Sequence, residues 1–123
     1  MPLTGIPLAY GQVPPDRPAM VVKVDNAGPA RPQSGFNTAD IVFEEIVNDN
    51  LTRFALVFHS QGSAADVGPI RSGRLQDVDL FASYAAPSFV WSGGNPTVEN
   101  AIANSGFLDL KFGTPGMYER RGR

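Results

Sequence analysis

Cysteine is absent from the chain, which excludes structural disulfides, thiolate metal sites and a cysteine nucleophile. Histidine occurs once, as His59. A zinc site built on several imidazoles, or a serine–histidine–aspartate triad, therefore has little material, although Ser72, Asp77 and Asp79 are present, and no metal or cofactor is expected. Long apolar runs are also missing: none approaches the roughly 20 residues that cross a bilayer. Charge of one sign is lacking, with ten basic and twelve acidic side chains. The near balance removes the broad positive footprint of a nucleic-acid binder, so any anion binding must be local. The Met1-Pro2 start carries no basic and apolar leader of a secretion signal. Lysine is scarce, two against eight arginines; the bias suits planar, bidentate contacts to carboxylate or phosphate, and equally fits a GC-rich genome.

What is present describes one folded domain. At 123 residues with 42% hydrophobic and 18% charged side chains, the chain is long enough for a single core and too apolar to be a disordered tail. Thirteen glycines and eleven prolines favour many ordered turns over long helices. Residues 1–18 hold five prolines and read as an extended arm over the domain, which then occupies 19–123. Residues 19–25 form a first strand, followed by a structured loop over 26–35. Residues 40–47 and 51–60 are rich in β-branched and aromatic side chains, and Asn48-Asp49-Asn50 between them has the composition of a hairpin turn. Alternation puts Ile41, Phe43, Glu45 and Val47 on one face and Val42, Glu44 and Ile46 on the other. Both faces are mainly apolar, which predicts a sheet covered on both sides and a buried glutamate with Arg53 as its partner. Residues 75–85 carry a helical stripe stopped by Pro87. Residues 88–91 make a short buried strand, and 97–104 a helix with Asn95 as cap and Pro96 in its first turn. The stretch from 107 to 123, ending in Glu119-Arg120-Arg121-Gly122-Arg123, has mixed signals. The fold class is α/β or α+β: a mixed β-sheet with a central hairpin and covering helices.

The most distinctive chemical feature is the turn Gly68-Pro69-Ile70-Arg71-Ser72-Gly73-Arg74. Arg71 and Arg74 stand three apart among small residues that let a ligand approach the backbone, and Ser72 adds a donor. The competing reading is an internal clamp in which the arginines pair with Glu44, Glu45, Asp77 or Asp79, with Glu44 and Asp79 the favoured partners. Ser92-Gly93-Gly94-Asn95-Pro96 joins a strand to a helix, where free amides can bind ligands; the phosphate-loop lysine and the dinucleotide glycine spacing are missing, so a structural turn is the better reading and no nucleotide is expected. Ala30-Arg31-Pro32-Gln33-Ser34-Gly35 offers a second polar wall or a lock of loop to sheet. Glu44 and Glu45 point to opposite faces, which argues against their acting as a pair on one bond. His59 closes an apolar strand as a packed or edge residue.

The pieces Pro2-Leu3-Thr4-Gly5, Ala30 to Gly35, Ala39-Asp40-Ile41-Val42-Phe43-Glu44, Thr52-Arg53-Phe54, Val67 to Arg74 and Gly93-Gly94 occur in an order that resembles the N-terminal part of the YerB-like family of bacterial envelope lipoproteins, a domain of unknown function. The resemblance covers nearly the whole chain and singles out Arg31, Gln33, Ser34, Glu44, Arg53, Arg71, Ser72, Arg74, Asp79, Gly93 and Gly94 as site residues. Glu45 and His59 lie outside its pattern; Asn95 and Leu75 depart from the serine and proline that the family often carries. It implies an extracytoplasmic place in the envelope, a lipid anchor in the full-length protein outside this chain, and a domain that continues beyond Arg123. The expected function is a non-catalytic envelope module that binds an anionic cell-wall component or a partner protein through an arginine-rich cleft. The alternative is an enzyme acting on envelope glycan or lipid-linked phosphate, with Glu44 or Asp79 as acid/base group.

Overall fold

A computed structural model describes residues 1–62 and 66–117; the basic run 119–123 lies outside them. Five strands form one mixed sheet: β1 (Met20–Asp25), β2 (Ile41–Ile46), β3 (Thr52–Phe58), β4 (Ser88–Trp91) and β5 (Leu108–Lys111), in the spatial order β2-β3-β1-β4-β5. The hairpin β2–β3 is antiparallel and β3 pairs antiparallel with β1, whereas β1–β4 and β4–β5 are parallel. Parallel neighbours need crossovers, and these supply the helices α1 (Gln76–Leu80) and α2 (Pro96–Ala103). Both pack on one face, where Val21, Ala55, Val57, Phe89 and Trp91 meet Phe81 from the α1 crossover and Val98 and Ile102 from α2. Loops close the other face: Phe36, Val67, Ile70 and Met117 lie on Val22, Val24, Leu56 and Val90. The architecture is the expected α+β mixed sheet.

Local chemistry explains most boundaries. Asn95 accepts the Val98 N–H through Oδ1 at 3.0 Å and Pro96 opens α2, as its composition predicts. The α1 region differs from the continuous helix expected over 75–85. The α-helix ends at Leu80 and a single 3₁₀ turn (Ala82–Tyr84) follows, because Phe81 leaves the helical backbone to enter the core and Ala85 reverses the chain at φ 62°. β5 falls where the sequence shows mixed signals. The coverage expected on both sides also fails at β2. As an edge strand it packs Ile41, Phe43 and Glu45 inward, while Val42, Glu44 and Ile46 face solvent, Ile46 at 75% exposure.

The arm over 1–18 contains no helix or strand. Leu3 packs against the helix-side core, and Arg17 donates to the His59 carbonyl at 2.7 and 3.0 Å while His59 Nε2 meets the Arg17 carbonyl at 3.1 Å. His59 is thus an edge residue that anchors the arm.

Candidate functional site

Residues 68–74 build the site by finishing the sheet. Ile70 bridges Val24, the Arg71 N–H donates to the Lys23 carbonyl, and the Ser92 N–H donates to the Arg71 carbonyl. The segment therefore wedges between the end of β1 and the end of β4. Gly73 is held here by contact: a Cβ would lie 2.7 Å from the Trp91 ring. Asp25, Arg53 and Glu45 share the helix side of the sheet, where register pairs Asp25 with Arg53 and Arg53 with Glu45 across β1, β3 and β2.

Three guanidiniums gather at that end. Arg53 Nη1 donates to the Ser72 carbonyl at 3.2 Å, Arg71 Nε lies 3.3 Å from Asp25 Oδ2, and Arg74 donates to the Gly73 carbonyl and, at 2.9 Å, to Asn48 Oδ1. Arg53 Nε is buried without a hydrogen-bond partner. Burial, then the positive charges of Arg74 and Arg71, draw the Arg53 guanidinium below its ordinary value against the opposing pull of Asp25 and Asp77. The Arg71 side chain is 55% exposed. Beside Arg74 opens a polar cleft of about 750 Å³ lined by Asn48, Ser72, Arg74, Gln76, Ser92 and Asn95, with Gly93 and Gly94 in its wall and Val47 and Val98 as apolar contacts; Arg71 lines a second groove instead.

Behind the cleft sits a sealed ionic triad. Lys23 Nζ pairs with Glu45 Oε2 and lies 2.9 Å from Asp77 Oδ1; Lys23 and Asp77 have no exposed surface. Asp77 Oδ2 accepts the Arg74 N–H at 2.7 Å, and Gln76 Nε2 donates to Glu45 Oε1 and the Ile46 carbonyl. The triad thus fastens the arginine turn to β1 and β2. Burial, helped by the hydrogen bond and charge of Glu45, pushes the Asp77 carboxyl up to about 7 against the Lys23 charge. Burial also acts to raise Glu45, but the hydrogen bond from Asp77 and the charge and hydrogen bond of Lys23, with Gln76, outweigh it and hold Glu45 below the usual carboxylate value. Two carboxyls meet one ammonium, and of the two Asp77 takes up a proton more readily.

The clamp therefore differs from expectation in its partners. Arg71 meets Asp25, and Arg74 is held by Asn48 and, through its backbone, by Asp77. Glu44 instead accepts from Thr52 Oγ1 at 2.9 Å on the solvent face of β2, because alternation turns it from the core. Asp79 is exposed on α1, turned from the triad because two helical residues lie on opposite sides of the axis. The buried glutamate is paired by Lys23 and not by Arg53, whose Nη1 donates to the Ser72 carbonyl.

Arg31 and Gln33 reach Asn26, and Gln33 also donates to the Asp25 carbonyl, so they tie their loop to the end of β1. Ser34 bridges Gly68 and lines a more apolar groove of about 780 Å³ on the other face of the sheet. Gly93 and Gly94 have packing reasons for lacking side chains: Gly93 adopts φ 104°, and a Cβ at Gly94 would lie 3.1 Å from Val98. Ser72, Arg74, Gly93 and Gly94 line this cleft, and Arg53 reaches the Ser72 carbonyl beside it; Arg71 and Ser34 line the other groove, and Arg31, Gln33, Glu44 and Asp79 are not part of the cleft. Sequence reasoning missed Lys23, Asn48 and Gln76. The signal for Lys23 was a lone lysine within the apolar run Met20–Asp25, a charge that cannot be buried unpaired. Among the described residues no group of three or more histidine, cysteine, aspartate or glutamate side chains is placed to hold a metal ion.

The comparisons with known proteins match this whole unit. A family described as "Protein of unknown function (DUF3048) N-terminal domain" matches residues 3–122. The chain is 39% identical over 112 residues to the Bacillus subtilis (strain 168) protein named "Putative lipoprotein YerB", covering 91% of this chain and 32% of that protein. The crystal structure of Bacillus subtilis YerB superposes with a TM-score of 0.75 at 34% identity, over 88% of this chain and 36% of that one. The chain thus spans about a third of the length of the relative it matches.

Proposed function

The chain belongs to the family of DUF3048 N-terminal domains, and from that premise we propose that it acts as a non-catalytic module of the cell envelope that binds an anionic cell-wall component at the arginine end of its sheet. One observation carries the reading: Arg74 lines a polar cleft, its positive charge and that of Arg71 both act on the half-buried Arg53, and among the described residues the carboxylate in salt-bridge contact with these arginines is Asp25, on Arg71. Like charges that act on one another repel, and a bound anion relieves that repulsion. The lipoprotein name of the relative supports an extracytoplasmic place. A partner protein would use the same arginines through an acidic patch.

An enzyme acting on envelope glycan or lipid-linked phosphate needs an acid/base side chain at the cleft. Glu44 is turned to the far face, Asp79 lies exposed on α1, and the carboxyls whose titration is displaced, Glu45 and Asp77, are sealed; this geometry favours binding over chemistry. The test is calorimetric titration with glycerol phosphate and inorganic phosphate. Binding is expected to disappear in the Arg71→Ala/Arg74→Ala variant while the circular dichroism spectrum stays folded. Unchanged affinity, or a double variant that loses only stability, sinks the reading in favour of a purely structural network.

A further inference from the structure

We propose that the sealed triad is a site of self-modification, in which Lys23 Nζ condenses with the Asp77 side chain to an isopeptide bond while Glu45 carries the proton. The inference concerns the core behind the arginine turn and stands apart from the anion-binding reading. One carboxylate neutralises one ammonium, yet Lys23 meets two carboxyls: it pairs with Glu45 Oε2 and lies 2.9 Å from Asp77 Oδ1. Glu45 and Asp77 also hydrogen-bond to each other. The second carboxyl is surplus to a salt bridge, but amide formation uses both, one as acceptor and one as proton carrier. Lys23 and Asp77 have no exposed surface, and the same side of the sheet is filled by Val21, Ala55, Phe81, Phe89 and Trp91.

Hydrogen bonding separates the two carboxyl roles. Asp77 Oδ2 accepts the Arg74 backbone N–H at 2.7 Å, a donor placed to hold the negative charge that grows on this oxygen as nitrogen adds to Cγ. Glu45 touches both partners; it takes a proton from the Lys23 ammonium and frees the amine as nucleophile. The Nζ–Cγ bond forms, the Cγ–Oδ1 bond breaks, and Oδ1 leaves as water. Of the three ammonium protons, one stays on the amide nitrogen and two depart in the water, one of them handed over by Glu45. A proton that Asp77 carries beforehand remains on Glu45, and the step needs no oxidant or external reagent. Contact within a packed core supplies the proximity that condensation in bulk water lacks, and a neutral amide replaces charges that are costly to bury. Taking the amine out of an ion pair makes the step slow, so the freshly folded chain holds the ionic triad and links on standing. The bond ties β1 to α1 across 54 residues.

Intact-mass spectrometry and peptide mapping of the 123-residue chain test the assignment. Chain incubated folded is expected to become lighter by one water, and chain kept in urea is not. Trypsin is expected to spare Lys23 and to leave its peptide joined to the one that holds Asp77. The linked chain is expected to unfold at higher urea, because a closed loop restricts the unfolded state. Glu45→Gln, checked as folded by circular dichroism, is expected to link at least about tenfold more slowly. Full mass after weeks in the folded state overturns the proposal, and this arm depends on no variant. The same loss of water in Lys23→Met places it in a backbone imide and also overturns it. A bond to Glu45 overturns the choice of Asp77 as acceptor, and Glu45→Gln that links at the native rate overturns the proton carrier.

Discussion

Asp77 lies where two demands on a carboxyl conflict. Its oxygens receive Lys23 and the Arg74 N–H, yet Glu45 competes for the same ammonium and no water reaches the group. The compromise is a proton held up to about pH 7 in the fold, against an ordinary aspartate near 4 in the unfolded chain. Over that window the folded state binds the proton and the unfolded state does not. Stability from this group is fully present below about pH 4 and is lost as pH rises toward 7, with a slope of at most about 1.4 kcal/mol per pH unit. Glu45 runs the other way: its stabilisation is present above its ordinary value and is lost as pH falls through its depressed one. Urea denaturation from pH 4 to 8 is expected to show the decline in the native chain and a flattened profile in Asp77→Asn, whose amide stands in for the protonated acid. The same decline in both proteins would place the titration elsewhere. Part of the triad was legible beforehand: alternation put Glu45 with Ile41 and Phe43, and Lys23 interrupts an apolar strand. Its pairing was not, because register between β1 and β2 passes through β3 and α1 brings Asp77 from 54 residues away.

At the scale of elements, α2 shows a local signal that suffices. Asn95 caps, Pro96 fixes the first turn, and Val98 and Ile102 face the core four residues apart. Asn95→Ala removes the Val98 acceptor and is expected to cost about 1 kcal/mol in urea denaturation; a loss well beyond that would mean that Asn95 also holds the wall of the cleft. The hairpin was legible for a similar reason, since its turn and both its strands are contiguous. β5 was not, because its pairing with β4 is parallel and distant in sequence while three of its four side chains are exposed, leaving little hydrophobic pattern. α1 was overread: the apolar positions over 75–85 follow a helical stripe, but Phe81 is drawn fully into the core against Phe43 and Phe89, and tertiary packing outweighs the propensity to continue.

For the molecule as a whole, a net charge of −2 hides a concentration of positive charge at one end of the sheet. The candidate arginines were visible as residue types, but the sequence offered Glu44 and Asp79 as partners because both are near in sequence or in family pattern. Only the sheet topology, with residues 68–74 inserted between β1 and β4, determines that Arg71 meets Asp25 and Arg74 meets Asn48. An anion that binds there and not to the unfolded chain must stabilise the fold by mass action, by about 2.7 kcal/mol at a hundredfold excess over its dissociation constant. For a domain of this size that corresponds to a rise in melting temperature on the order of 10 °C. Sodium chloride at the same ionic strength screens exposed charges without occupying a site, so it is expected to give a much smaller rise. The increment specific to phosphate should vanish in Arg71→Ala/Arg74→Ala. If chloride matches phosphate, the arginines are merely being screened from one another, and their crowding is a structural strain that the triad and Asp25 hold in place.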